Sequence, residues 1–221
     1  MRKMIPIFYL LLSFTSLFAA DKSYKILSTD IQTTINKDAT VDFIETREFS
    51  FVGEFSFVYQ VILKKGYNKI YDIQVFENEV AYLNTETKEP GTFLIDERKN
   101  SYRIYLYHKS IDEVKKFTIK YTLDNPFRIG ENESQFYWIY LSDKWDKSPG
   151  ALSISQKFSG GINQNDIVYD LEKPSNSKKY ELQIDDFSLN LYSSSFTKNT
   201  QMKLRTIFPT SFFTNPEIDD S

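Results

Sequence analysis

The sequence predicts an all-β protein: an antiparallel β-sandwich, immunoglobulin-like in general architecture, with about a dozen strands. Three observations predict it. Phe117, Ile119, Tyr121 and Leu123 alternate with Thr118, Lys120 and Thr122, the period of two of a half-buried strand. No stretch of ~12 residues carries a helical repeat of apolar positions. The 15 Tyr and 19 Phe against 7 Gly suit strands packed face to face.

Taken in order, the chain opens with Arg2 and Lys3, an apolar run from Met4 to Phe18, the small pair Ala19-Ala20 and a polar switch at Asp21. A charged start, a short apolar run and small residues at its end are the parts of a secretory signal peptide, 1–20, cleaved after Ala19 or Ala20. The run falls short of the ~20 apolar residues that span a bilayer, which favours cleavage over an uncleaved anchor. The protein is therefore expected to be exported, to the periplasm or the cell surface.

Strands are expected at Tyr24–Ile35, Thr40–Phe51, Glu54–Leu63, Lys69–Phe76, Tyr102–Tyr107, Val114–Leu123, Glu133–Leu141, Ala151–Phe158, Ile167–Leu171, Phe187–Tyr192 and Gln201–Phe208. The breakers between them are Asn36-Lys37-Asp38, Val52-Gly53, Lys65-Gly66, Glu89-Pro90-Gly91, Ser148-Pro149-Gly150 and Gly160-Gly161. Asn163–Lys179 reads as a long loop around one short strand. One domain, 21–213, is expected; a sub-boundary, if present, falls at 144–150, and 214–221 forms an acidic loose tail.

Composition excludes several functions. The chain carries a net charge of −3 and loses two cations with Arg2 and Lys3, so the mature form stands at −5. That balance argues against nucleic acid or anionic lipid as partner. The pairs Lys64-Lys65, Lys115-Lys116 and Lys178-Lys179 are dispersed and read as solvated charges. There is no cysteine, so neither disulfides, thiolate metal sites nor a cysteine nucleophile is available, and the fold must rest on its core.

The search for chemistry returns little. The single histidine, His108, lies at a strand end and is expected to be exposed. No phosphate-binding glycine loop and no His-Glu metalloprotease motif is present. Asn163–Asp166 and Asp185-Asp186 lack the ligand spacing of a calcium loop. Asn132-Glu133-Ser134 fits a glycosylation sequon, relevant only in a eukaryotic secretory pathway. No catalytic residue, metal or cofactor is expected, and the protein is read as a non-enzyme.

Two features stand out as candidate binding residues. In Thr40–Phe51 the file Val41, Phe43, Phe49, Phe51 also contains Glu45 and Arg47. Opposite charges on an apolar file form a buried pair or line a cleft, or else mark an edge or a bulge that flips the register. Glu45 then needs a cation or donors, and Arg47, Arg103 and Arg128 are the candidates. The second feature is Phe136–Leu141 followed by Trp145. Both faces of this strand are apolar, which suits a central strand covered on both sides, with Trp138 in the core. Tyr137 and Trp145 are the residues expected to meet a glycan if one is bound.

Several segments together resemble a known family. They are Val41…Glu45…Phe49-Ser50-Phe51, Gly53-Glu54-Phe55, Tyr59–Ile62, Ile70-Tyr71-Asp72-Ile73-Gln74-Val75, Phe117–Asn125, Phe136–Trp145 and Arg205–Phe213. Their order and spacing are similar to the extracytoplasmic N-terminal domain of the YciQ-like predicted membrane proteins, domain of unknown function 2207. The resemblance implies a β-rich domain at the bacterial envelope and brings no catalytic or binding residue. Members typically continue into transmembrane helices where this sequence ends soon after Phe213. Both a freestanding ectodomain and a chain short of its membrane part fit that ending.

The function expected is that of an exported envelope module that binds a protein, through protein–protein contacts or an edge strand. A carbohydrate- or peptidoglycan-binding module is the alternative, and a carboxylate-dependent envelope hydrolase using Glu45 a more remote one. The partner expected is an envelope or membrane protein. Membrane association would run through that partner or an uncleaved signal.

Overall fold

The computed structural model describes residues 22–143, 147–172, 180–185 and 188–218. The candidate signal peptide, Trp145 and the end of the acidic tail therefore lie outside the described residues. The strands are β1 (Ser23–Ile35), β2 (Thr40–Val52), β3 (Glu54–Leu63), β4 (Lys69–Glu77), β5 (Val80–Ala81), β6 (Leu83–Asn84), β7 (Thr92–Glu97) and β8 (Ser101–Ile111). They continue with β9 (Val114–Asp124), β10 (Phe127–Ile129), β11 (Glu133–Leu141), β12 (Gly150–Phe158), β13 (Val168–Glu172), β14 (Glu181–Asp185), β15 (Ser188–Phe196) and β16 (Met202–Pro209). Among the described residues, helix is confined to single turns at Gln164–Asp166 and Thr210–Phe212.

The all-β sandwich is therefore the observed fold, with sixteen strands in place of about a dozen. The additions are β5, β6, β7, β10 and β14, of two to six residues. Segments that short carry too few alternations to announce themselves. Elsewhere the expected limits move by a few residues, most at β8 and β15, which run four residues beyond Tyr107 and Tyr192 to Ile111 and Phe196.

One sheet of eight strands, ordered β14-β15-β12-β1-β2-β9-β4-β5, forms a whole layer. The opposing layer is split into two sheets of four, β10-β11-β16-β13 and β3-β8-β7-β6. Both lie on the same face of the large sheet. Residues Thr33 and Phe43, paired across β1 and β2, meet β11 through the Tyr140 hydroxyl at 2.9 Å and the Trp138 ring at 5.1 Å. Further along the same file of β2, Phe51 meets His108 of β8 at 5.1 Å. The immunoglobulin-like plan is thus modified by a divided second layer and by two parallel pairings, β1 with β12 and the short β6 with β7.

Alternation decides what is buried. The odd residues of β2 from Val41 to Phe51 turn inward, and Ile31, Ile35, Phe43, Phe51, Leu123 and Phe136 are each at most 2% exposed. Each such side chain contributes ~1.5–3 kcal/mol by leaving water. Strands on either side of residues 144–150 interleave, because β12 pairs with β1 and β16 pairs with β11.

Two expectations are corrected. His108 is 2% exposed rather than open to solvent. Because β8 continues to Ile111, residue 108 falls on the inward file with Ile104 and Leu106 instead of on a turn. And β11 is covered on one side only: Phe136 and Tyr140 are buried, whereas Tyr137 and Ile139 are 36% and 42% exposed.

The entry into β12 depends on one glycine. Gly150 has φ +72°, and a Cβ there would lie 2.1 Å from the Leu27 carbonyl oxygen. Leu27 is the extra residue where the β1–β2 register shifts between Ile26 and Ser28, so the bulge brings its backbone against Gly150. Gly150→Ala is expected to cost more than ~3 kcal/mol, since steric conflict adds to the left-handed φ. Gly161→Ala, with nothing within 4 Å, is the control. Denaturant melts of the two variants decide it; equal melts would show that β1 can retreat from Gly150.

Candidate functional surface

Glu45 and Arg47 occupy the middle of the molecule. β2 runs between β1 and β9 without a register break at either residue, so both stay on the inward file, each 6% exposed. The Glu45 carboxylate accepts from Arg47 Nη2 at 2.7 Å, from Tyr121 Oη at 2.6 Å and from Gln60 Nε2 at 3.3 Å. Phe43 lies flat on Tyr121 at 4.9 Å and tilted to Trp138 at 5.1 Å.

The structure thus brings three of the expected residues, Glu45, Arg47 and Trp138, to one seam. Gln60 approaches it from the sheet of β3 and Trp138 from the sheet of β11, both above the large sheet. Burial, followed by the charge of Glu45, holds the Tyr121 hydroxyl well above its ordinary pKa, so it stays a donor. Of the other cations proposed for Glu45, Arg103 faces outward from β8 against Tyr59, and Arg128 is an exposed residue of β10.

A second polar cluster surrounds His108. Its ring sits 5.1 Å from Phe51 and 5.0 Å from Phe117, and Nδ1 lies 2.6 Å from Ser110 Oγ. Nε2 has no hydrogen-bond partner among the described residues. Glu77 accepts from Tyr82 and Lys115, so Lys115 is not the solvated cation expected. Burial, with the charge of Lys115 added, pushes His108 down to about 4. The serine beside it is 0% exposed, which leaves a Ser–His pair without access to substrate.

The three outer faces differ in chemistry. The large sheet presents Asp42, Thr46 and Glu48 beside Thr122, Thr118 and Lys116. Around Tyr137, the outer face of β11, β16 and β13 is laced with charge: Glu172 accepts from Tyr137 at 3.2 Å and from Lys203 at 2.9 Å, and Arg205 lies 5.7 Å from the Tyr137 ring. The face of β3, β8 and β7 is aromatic. Register places Phe57 beside Tyr107, Tyr59 beside Tyr105 and Val61 beside Arg103, with Leu94 and Asp96 on the far side.

On that face the rings form a ladder. Phe57 and Tyr59 lie 5.8 and 5.7 Å from Tyr105, which stacks on Tyr107 at 6.2 Å. Arg103 lies 4.7 Å from the Tyr59 ring centre and donates to the Tyr105 hydroxyl at 3.1 Å, a cation–π arrangement. Phe57, Tyr59, Val61 and Leu63 are 44%, 53%, 40% and 59% exposed.

The strand that carries them has an open edge. β3 ends its sheet, pairing with β8 alone among the described residues. The other sheet-ending strands, β5, β6, β10, β13 and β14, are two to five residues long, whereas β3 has 10. From Phe55 to Leu63 it contains no charge and no proline, the usual devices that block an edge. The aromatic platform expected at Tyr137 and Trp145 lies on β11 and outside the described residues, respectively; the signal in β3 is present in the sequence as Phe57, Tyr59, Val61 and Leu63 on one alternating file. Among the described residues, no group of three or more metal-ligating side chains converges.

The chain belongs to the family described as Predicted membrane protein (DUF2207) N-terminal domain, whose profile matches residues 25–208. No curated protein matches the sequence. Among solved structures, similarity extends to a suspected protease from Parabacteroides distasonis, with 8% identity and TM-score 0.46, covering 83% of this chain and 40% of that one. An M1 zinc metallopeptidase from Deinococcus radiodurans gives 9% identity and TM-score 0.44, covering 83% and 42%. A suspected nutrient-binding protein from Legionella pneumophila gives 10% identity and TM-score 0.46, covering 83% and 66%. This chain thus spans 40–66% of the length of these structures.

Two predictions follow from the buried groups. Glu45→Leu leaves Arg47 buried against an apolar side chain and is expected to cost ~3–5 kcal/mol in denaturant melts. Glu45→Gln, which keeps an acceptor for Tyr121, costs less; equal losses would refute a charge-dependent seam. For His108, a folded pKa of about 4 against 6.5 unfolded means that the unfolded chain binds the proton first. Stability is therefore full above 6.5 and falls as pH drops from 6.5 towards 4. Melting temperature measured across that window should fall less in His108→Phe than in the parent.

Proposed function

We propose that this chain is an exported binding module of the bacterial envelope, which engages a protein partner through the edge and aromatic outer face of β3. The observation that carries this reading is the open ten-residue edge of β3 with four exposed apolar side chains on one face. An extended segment laid along such an edge gains backbone hydrogen bonds, and the alternating side chains supply pockets. Tyr and Arg, as in Tyr59, Tyr105 and Arg103, are the side chains that dominate binding energy at interfaces.

Export is supported by Arg2, Lys3 and the apolar run that follows. Membership of a membrane-protein family supports placement at the envelope. Among the described residues no helix is long and apolar enough to cross a membrane. The role proposed is not enzymatic: Glu45, the carboxylate considered for a hydrolase, is enclosed by three donors, and the histidine is buried.

A glycan would also stack on the exposed Tyr59 ring. Titration with peptidoglycan fragments separates the two. The protein reading expects tyrosine fluorescence to stay unchanged at millimolar ligand, and a saturable change abolished by Tyr59→Ala would replace it with the glycan reading. The protein reading is tested by a photoreactive phenylalanine analogue placed in turn at positions 59, 61 and 137 of the full chain in bacterial cells. Adducts are expected from 59 and 61 and not from 137; the reverse pattern would move the binding surface to β11.

A further inference from the structure

We infer that the partner on the β3 edge is a second copy of this chain, paired antiparallel through β3 so that two four-stranded sheets join into one of eight. This rests on the reading of β3 as the binding edge and names the occupant.

Three properties of the strand favour a copy of itself. First, an isologous pairing needs a segment compatible with its own reverse. From Phe57 to Val61 the strand is uncharged, so no like charges meet when it is turned end for end. Second, side chains directly opposite share a face, so the odd, outward file must meet its own counterpart. Pairing about Tyr59 sets Tyr59 beside Tyr59 and Phe57 beside Val61, and joins the two aromatic ladders across the axis.

Third, the ends are complementary. Antiparallel pairing brings the Glu54 end of one strand to the Lys64 end of the other. Lys64 has one carboxylate partner, Glu97 at 2.5 Å, and its ammonium has three donors, so a second carboxylate is accommodated. A lipid surface is disfavoured as occupant. The outer-edge backbone N–H and C=O groups of β3, which pair with no other strand among the described residues, would find no partners in hydrocarbon, whereas an identical strand satisfies them.

The chain contains no cysteine, so introduced thiols report on register without background. Phe57→Cys and Val61→Cys chains, tagged differently and expressed together at full length, are expected to form a mixed disulfide about fivefold more readily than either forms with itself, because only the mixed pair falls within disulfide reach. Both substitutions are at exposed positions and leave the core untouched. Equal yields of mixed and like pairs would overturn the register.

Occupancy is read from the photoreactive analogue at position 59. An adduct at twice the chain mass is the expected result. An adduct at any other mass overturns self-pairing while leaving β3 as a binding edge. No adduct at all overturns both.

Discussion

The carboxylate of Glu45 is the point at which the layers of this sandwich are tied together. It takes donors from its own strand through Arg47, from β9 through Tyr121 and from β3 through Gln60. Two of those strands lie in the large sheet and one lies in the opposing layer. A carboxylate this enclosed is tolerable only while its donors remain, because the cost of stripping water from it must be met by hydrogen bonds and an opposite charge. Where two small sheets meet over one large one, apolar packing alone would let each slide. The directional bond from Gln60 ties the β3 sheet to β2 at this point.

That fixed position has consequences at the surface. With its inner file committed to the seam, β3 presents Phe57, Tyr59, Val61 and Leu63 to the outside. The large sheet presents a largely polar face around β2 and β9, and the β11 sheet a mixed one, where Tyr137, Ile139 and Val168 lie among charged side chains. The difference lies in which strand ends each sheet. Short terminal strands leave little backbone unpaired, and β13 and β14 add Asp170, Glu172, Glu181 and Asp185 as electrostatic guards. β3 is long and, from Phe57 to Leu63, regular and free of charge and proline, an arrangement selected against in proteins that stay alone.

Much of the fold was legible in the chain. Period-two alternation located β1, β2, β3, β4, β9, β11, β12 and β16 to within a residue or two, because a half-buried strand must repeat every second residue. The family was legible as well, since its motifs reside in linear order. Short strands such as β6 and β10 were not, for they are held by neighbours and carry no pattern of their own. The seam was half legible: Glu45 and Arg47 on an apolar file allowed a buried pair, a cleft, an edge or a bulge, and Tyr121 and Gln60 are 76 and 15 residues from Glu45, so only packing chooses the pair and makes them donors.

His108 and the aromatic face show where linear order stops. A one-turn difference in where β8 ends moved His108 from solvent into the core. The aromatic density at Phe136–Leu141 drew attention to β11, yet that strand is central in its sheet while the sparser file of β3 lies at an edge. By itself the sequence determined strand content, inward and outward files, and an acidic net charge, because these depend on composition and on neighbours along the chain. Only the tertiary structure decided which strand is an edge and which buried polar groups meet. Edge status and side-chain encounter depend on sheet order, and sheet order is set by contacts between residues far apart in sequence.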